Sequence, residues 1–166
     1  MKQTISMAKI DIFQIVRLGE NEEFFRLIQQ VDIDQVNEFG ENLLHEAIAY
    51  DNRDAALELI RRGIDVNHQS SKGLSPLHYA VSRNNLIITK ALLDKKANLA
   101  LQDLHGNQPL WTAILSPKVD YEIVRILMQH GADPDHVNKY GKSSLLLAKE
   151  MKDSELLSIL QSSSPP

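Results

Sequence analysis

The chain repeats itself every thirty-three residues, and that period constrains its fold more than any other feature. Phe39-Gly40-Glu41-Asn42-Leu43-Leu44-His45-Glu46-Ala47 is followed, thirty-three residues on, by Lys72-Gly73-Leu74-Ser75-Pro76-Leu77-His78-Tyr79-Ala80. After the same interval comes His105-Gly106-Asn107-Gln108-Pro109-Leu110-Trp111-Thr112-Ala113, and after thirty-five residues Tyr140-Gly141-Lys142-Ser143-Ser144-Leu145-Leu146-Leu147-Ala148. Gly, Leu and Ala keep their places in all four copies. A unit this short cannot bury an apolar face alone, so the copies must stack and cover one another.

Glycine and proline placement supports the same register. Gly40, Gly73, Gly106 and Gly141 stand a few residues before a helical pattern, as tight-turn residues. Gly63 and Gly131 follow amphipathic stretches, where a left-handed helix-ending residue belongs. Gly19 lies between two short helical patterns, and its equivalents Asp51 and Asn84 are types that tolerate positive φ. Lys96 stands in the slot of Gly63 and Gly131, where a left-handed lysine would cost about 1–2 kcal/mol. Pro76 and Pro109 share one position, at a helix's first turn, and Pro117 falls in the two-residue insertion that lengthens the third interval.

Within one copy, Leu77, Ala80 and Val81 recur at i, i+3 and i+4 and mark one face of a first helix. Asn84-Asn85 turns the chain, and Ile88, Leu92 and Leu93 form the stripe of a second, antiparallel helix. The motif resembles the ankyrin repeat, whose signature is a turn glycine followed by Thr-Pro-Leu-His-x-Ala; Ser75-Pro76-Leu77-His78-Tyr79-Ala80 comes nearest to it. The first copy lacks the proline, the third has Trp111 for histidine, and the fourth has neither proline nor histidine. The resemblance implies an all-α solenoid of about five stacked helix-turn-helix repeats with hairpin-like loops. The expected units are 8–34 as an N-terminal cap, 35–67, 68–100, 101–135, and 136–160 as a C-terminal cap, with a flexible tail over 161–166 and a single domain throughout.

The chemistry the chain lacks is as informative. There is no cysteine, so disulfide scaffolds, zinc–thiolate sites and thiol nucleophiles are excluded. The six histidines include no i, i+4 pair, and no metal site or cofactor is expected. His45 and His78 are expected to be structural, bonding loop backbone between repeats. Asn138-Lys139-Tyr140-Gly141-Lys142-Ser143 ends like a phosphate-binding loop, but His136 occupies the place of that loop's first glycine. No carboxylate pair or nucleophile motif points to catalysis, so the chain is expected not to be an enzyme. With 18 Lys+Arg against 22 Asp+Glu the net charge is −4, and no basic stripe suggests nucleic acid. The opening residues hold no apolar run of signal-peptide length, and no run reaches membrane-spanning length; the expected location is the cytoplasm.

What is left is recognition by a surface. Ankyrin repeats usually meet a partner on the concave side, through loop tips and outward positions of the first helices. Carried onto this chain, the candidate partner-binding residues are Glu38, Phe39, Glu41, Lys72, Leu74, Leu104, His105, Asn107 and Tyr140 at the tips. On the first helices they are Tyr50, Arg83, Trp111 and Met151. The accompanying positions are Ser71, Lys139 and Lys142, then Ala49, Ser82, Leu115, Ser116 and Glu150, with Arg17 and Leu18 in the first unit. Several are larger and more apolar than a solvated tip requires, and aromatics and arginine anchor interfaces. Trp111 has two readings, packing between repeats or lining the groove. Residues 20–67 carry 12 acidic and 4 basic side chains, a local charge of −8 that would steer a basic partner. The expected function is a protein-binding module, monomeric when free. The stretch Gly106-Asn107-Gln108-Pro109-Leu110-Trp111-Thr112-Ala113-Ile114, with the insertion and His130-Gly131-Ala132-Asp133-Pro134, is similar to small bacterial ankyrin proteins, which implies an immunity or inhibitor protein that neutralises a toxin, the partner then being a basic toxin domain. The alternative is a general cytoplasmic adaptor or regulatory scaffold.

Overall fold

The computed structural model describes residues 11–162. Ten helices follow one another: α1 (Ile12–Leu18), α2 (Asn21–Leu27), α3 (Leu43–Ala49), α4 (Arg53–Arg62), α5 (Pro76–Ser82), α6 (Leu86–Asp94), α7 (Pro109–Ile114), α8 (Tyr121–Gln129), α9 (Ser144–Met151) and α10 (Ser154–Ser162). They form five antiparallel pairs. The odd-numbered helices pack in one row and the even-numbered helices in a second row behind it, each touching its neighbours in the stack. Among the described residues the only β pairing is an isolated bridge between Val36 and Asn42. The architecture is an all-α repeat solenoid.

The local rules are visible at each helix end. Asn42, Ser75 and Ser143 start α3, α5 and α9 by accepting an N–H bond from the third residue onward. Asn52, Asn85 and Asp120 do the same for α4, α6 and α8. Pro76 and Pro109 occupy the first helical position, where their missing N–H is no loss. Between the helices of a pair the chain passes through one left-handed residue: Gly19, Asp51, Asn84 and Lys152 at φ 70°, 54°, 50° and 56°. Lys96 is left-handed too, at φ 59°, in the slot that glycine fills in the second and fourth repeats.

The fourth repeat departs from this pattern. The left-handed slot there would fall on Pro117, and a proline ring fixes φ near −65°. The turn takes another route, through Leu115–Val119, before Asp120 caps α8. Leu115, expected on the first helix, therefore lies just beyond its end at Ile114, whereas Ser116 lies beyond it as Tyr50 and Arg83, also expected on first helices, lie just beyond the ends of α3 and α5.

The loops run in register. Ser71 N–H donates to Phe39 O at 2.9 Å, Leu104 N–H to Lys72 O at 3.0 Å, and Lys139 N–H to His105 O at 3.0 Å. Each tip closes on a glycine such as Gly73, at φ 74°, whose N–H bonds Ser70 O. A Cβ on Gly73 would come within 2.9 Å of Gln102 O in the next loop, so both the dihedral angle and the neighbouring turn demand glycine.

The core is a continuous band of Leu, Ile, Val and Ala between the two rows, from Ile12 to Leu160. Of the expected tail 161–166, Gln161 and Ser162 are instead the last residues of α10, which Leu156, Ile159 and Leu160 anchor in the core. Residues 163–166 and the start of the first unit, 8–10, lie outside the described residues.

Candidate functional site

Among the turns, the loop tips and the exposed side of the odd-numbered helices lie two adjoining cavities that share Tyr79. The larger, about 560 Å³, lies where the third and fourth repeats meet. Leu74, Tyr79, Trp111, Leu115 and Pro117 give it an apolar wall, and Arg83, Asp103, His105 and Asn107 supply polar edges. Trp111 is half-buried and lines this groove instead of entering the core. Asp103 is rigid: it accepts N–H bonds from His105 at 2.8 Å and Asn107 at 2.9 Å. Burial pushes the Asp103 carboxyl up, but these bonds prevail and hold it below its ordinary pKa.

The smaller cavity, about 390 Å³, lies toward the N-terminal end, and Tyr79 lines both. Glu38, Phe39, Glu41, Tyr50 and Lys72 surround it, with Arg17 and Glu46 at its base. Arg17 grips Glu46 through two bonds of 3.0 and 2.6 Å, and the Asn37 amide donates to the same carboxylate at 2.7 Å. Glu46 is only 3% exposed, so the pairing offsets a real desolvation cost. The Asn37 amide and the Tyr79 hydroxyl both donate to Glu41. Burial, and then the Glu41 carboxylate, push the Tyr79 hydroxyl well above the usual tyrosine pKa.

Histidines fasten the floor. His45 Nε2 bonds Leu74 O at 2.9 Å, and His78 Nε2 bonds Asn107 O at 3.1 Å, each tying a first helix to the next repeat's loop. His68 and His136 reach back to Gly40 O and Gly106 O at 2.7 and 2.9 Å. Burial drives the His45 pKa down to about 4 and lowers that of His78, so both work as neutral imidazoles. Among the described residues no three His, Asp or Glu side chains gather as a metal ion would need. No described helix is long and apolar enough to cross a membrane.

Residues 12–103 and 45–138 match the family described as ankyrin repeats (3 copies). The chain belongs to the ankyrin repeat family. BCL-6 corepressor-like protein 1 of Homo sapiens is 31% identical over 110 residues, which is 66% of this chain and 6% of that protein. The B-cell lymphoma 3 protein homolog of Mus musculus is 32% identical over 128 residues, covering 76% of this chain and 28% of the relative. Neurogenic locus notch homolog protein 1 of Xenopus laevis is 31% identical over 128 residues, 76% of this chain and 5% of its own length. The chain thus spans less than a third of each of these relatives. Ankyrin repeats are a protein-binding fold, and this chain is a protein–protein interaction module of that kind.

The ankyrin stack gathers most of the sequence candidates into the two cavities. Leu74, Arg83, His105, Asn107 and Trp111 meet in the larger one, and Glu38, Phe39, Glu41, Tyr50 and Lys72 in the smaller. Leu104 and Met151 are exposed but line neither. Tyr140 also lies outside both, joined to the larger groove through a 2.8 Å bond between its hydroxyl and His105 Nδ1. Sequence reasoning missed Glu46, Tyr79 and Thr112, which line the cavities at one offset, just after the Leu-His or Leu-Trp pair. It also missed Asn37, Ser70, Asp103 and Asn138, three residues before each turn glycine, which cap the tips. A polar residue recurring at that offset was the available signal.

Proposed function

We propose that this chain is a non-enzymatic binding module that receives a protein partner in the paired grooves between its loop tips and its odd-numbered helices. The observation that carries this reading is that the two cavities adjoin, with Tyr79 as a shared wall, Trp111 and Arg83 lining one and Tyr50 and Phe39 the other. Side chains of these types supply most of the energy of protein interfaces when a partner excludes water from them. Their backbone is already fixed, Phe39 by the loop ladder, Trp111 within α7, and Tyr50 and Arg83 at the ends of α3 and α5, so little conformational freedom is lost on binding. A protein interface of ordinary size buries roughly 1,200–2,000 Å², an area that several repeats acting together provide. The face is open, which suits a macromolecule better than an enclosed small substrate.

The free chain is read as a cytoplasmic monomer. Within the binding function, an adaptor or scaffold is favoured by a relative whose name is that of a corepressor-like protein. Inhibition of a basic toxin domain is the narrower form of the same reading, supported by the acidic stretch 20–67.

The test compares two faces. Partners captured from host lysate by the wild-type chain should be lost on the Trp111→Ala, Arg83→Ala variant, with affinity falling ~30-fold or more. They should be kept by Leu57→Ala, Ile87→Ala, which alters the opposite row of helices. The reverse pattern, with both variants folded by circular dichroism, would overturn the groove assignment.

A further inference from the structure

The smaller cavity has a composition that the larger one lacks. Three rings, Phe39, Tyr50 and Tyr79, and three carboxylates, Glu38, Glu41 and Glu46, line one space of about 390 Å³. Phe39 and Tyr50 are 57% and 56% exposed, although both rings stand beside charged groups and neither is needed by the core.

One guanidinium already shows what this arrangement holds. Arg17 sits in a two-point bond with Glu46, and its guanidinium carbon lies 5.9 Å from the centre of the Tyr50 ring. A planar cation is thus clasped at the base of the cavity by a carboxylate and an aromatic face. The remaining carboxylates are not satisfied in the same way. Neutral donors, the Asn37 amide and the Tyr79 hydroxyl, hold Glu41, and Glu38 is exposed at the tip. Arg17 balances Glu46, and the exposed Lys72 balances one more, so the lining keeps one net negative charge. The surrounding stretch 20–67 adds its excess of 12 acidic over 4 basic side chains. Two exposed rings alone would suit any apolar group. Rings together with an unbalanced carboxylate favour a cation, and a flat one that can both stack and accept a two-point bond.

Resting on the groove reading above, we infer that the smaller cavity is an arginine subsite: a partner protein places an arginine side chain against Phe39, Tyr50 and Glu41. The same partner segment fills the larger cavity, against Trp111 and Leu115, with an apolar side chain. Tyr79 lines both spaces, so the two partner residues lie close together in space, and one short segment supplies both. The partner chemistry is therefore a basic residue followed or preceded closely by an apolar one, on a segment accessible enough to lie along the groove.

A random-peptide display library panned on the folded full chain tests this. Enriched sequences should pair arginine with a nearby aromatic or aliphatic residue. A synthetic peptide of the enriched sequence should lose about tenfold in affinity when its arginine becomes alanine. Glu41→Gln and Tyr50→Ala chains should show a matching loss for that peptide and no loss for its alanine version. Trp111→Ala should weaken both peptides equally. Enriched peptides that depend on Trp111 but carry no basic residue, or that bind Glu41→Gln at full strength, would overturn the arginine subsite and leave the groove standing. Peptides indifferent to Trp111, Tyr50 and Glu41 alike, or a selection that enriches nothing, would overturn both.

Discussion

The helix pairs α5/α6 and α7/α8 both begin with Pro-Leu, yet they are fastened to the stack in different ways. In the third repeat Ser75 and His78 form a reciprocal cap, and the imidazole goes on to bond Asn107 O in the next loop. In the fourth, Gln108 makes no side-chain cap bond, and Trp111 has no imidazole to reach forward. Helix α7 is one residue shorter than α5, and Leu115–Val119 replaces the left-handed turn. The larger cavity opens at this joint. Exchanging histidine for tryptophan removes a backbone tie and leaves a broad apolar side chain in the groove. The comparison teaches that within one repeat plan a position can serve cohesion or contact, and the residue type selects which.

Acid should separate the histidine-tied second and third repeats from the fourth most strongly. His45 is held neutral with a pKa near 4, against 6.5 for an ordinary histidine. The unfolded chain therefore takes up the proton first as pH falls. The stabilisation is complete above about pH 6.5, declines through the interval down to about pH 4, and changes no further below it. Its total is about 3 kcal/mol from this group, with His78 shifted in the same direction. Amide exchange at pH 7 and pH 4.5 should show protection falling in α3 and α5 well before α7; equal loss in all three would break the comparison. A graft sharpens it next. Gln108→Ser with Trp111→His should rebuild the cap and raise stability by about 1 kcal/mol, while partner affinity falls; retained affinity would return Trp111 to a purely structural role. The narrowest effect, on stability alone, belongs to Lys96→Gly, which relieves a left-handed lysine and should raise stability by about 1 kcal/mol in a urea titration. No increase would mean that the lysine side chain gains there what its backbone loses.

The stacking was legible because it is written in period and punctuation. Leu77, Ala80 and Val81 are buried as their spacing required, and Gly73 and Lys96 have the dihedral angles that their slots implied. Asp51 and Asn84 stand where Gly19 stands because their short polar side chains tolerate that turn. The extent of α10 was not legible, since Gln161 and Ser162 read as polar tail until Ile159 and Leu160 are seen to anchor the last turn. Nor was the site fully legible. Phe39, Tyr50 and Trp111 stand out by type. Tyr79 and Glu46 occupy an ordinary helical position, and their importance arises from neighbours thirty or so residues away. A one-dimensional pattern records which residues share an offset, but a cavity depends on which offsets face each other.

Among the described residues each helix pair packs chiefly against the pairs beside it. A lesion or an innovation at one joint is therefore insulated from distant joints, as damage to one vertebra leaves the far spine aligned. Whole storeys can be swapped, duplicated or retuned without redesigning the rest, and selection for a new quarry can act on the α5–α7 joint alone.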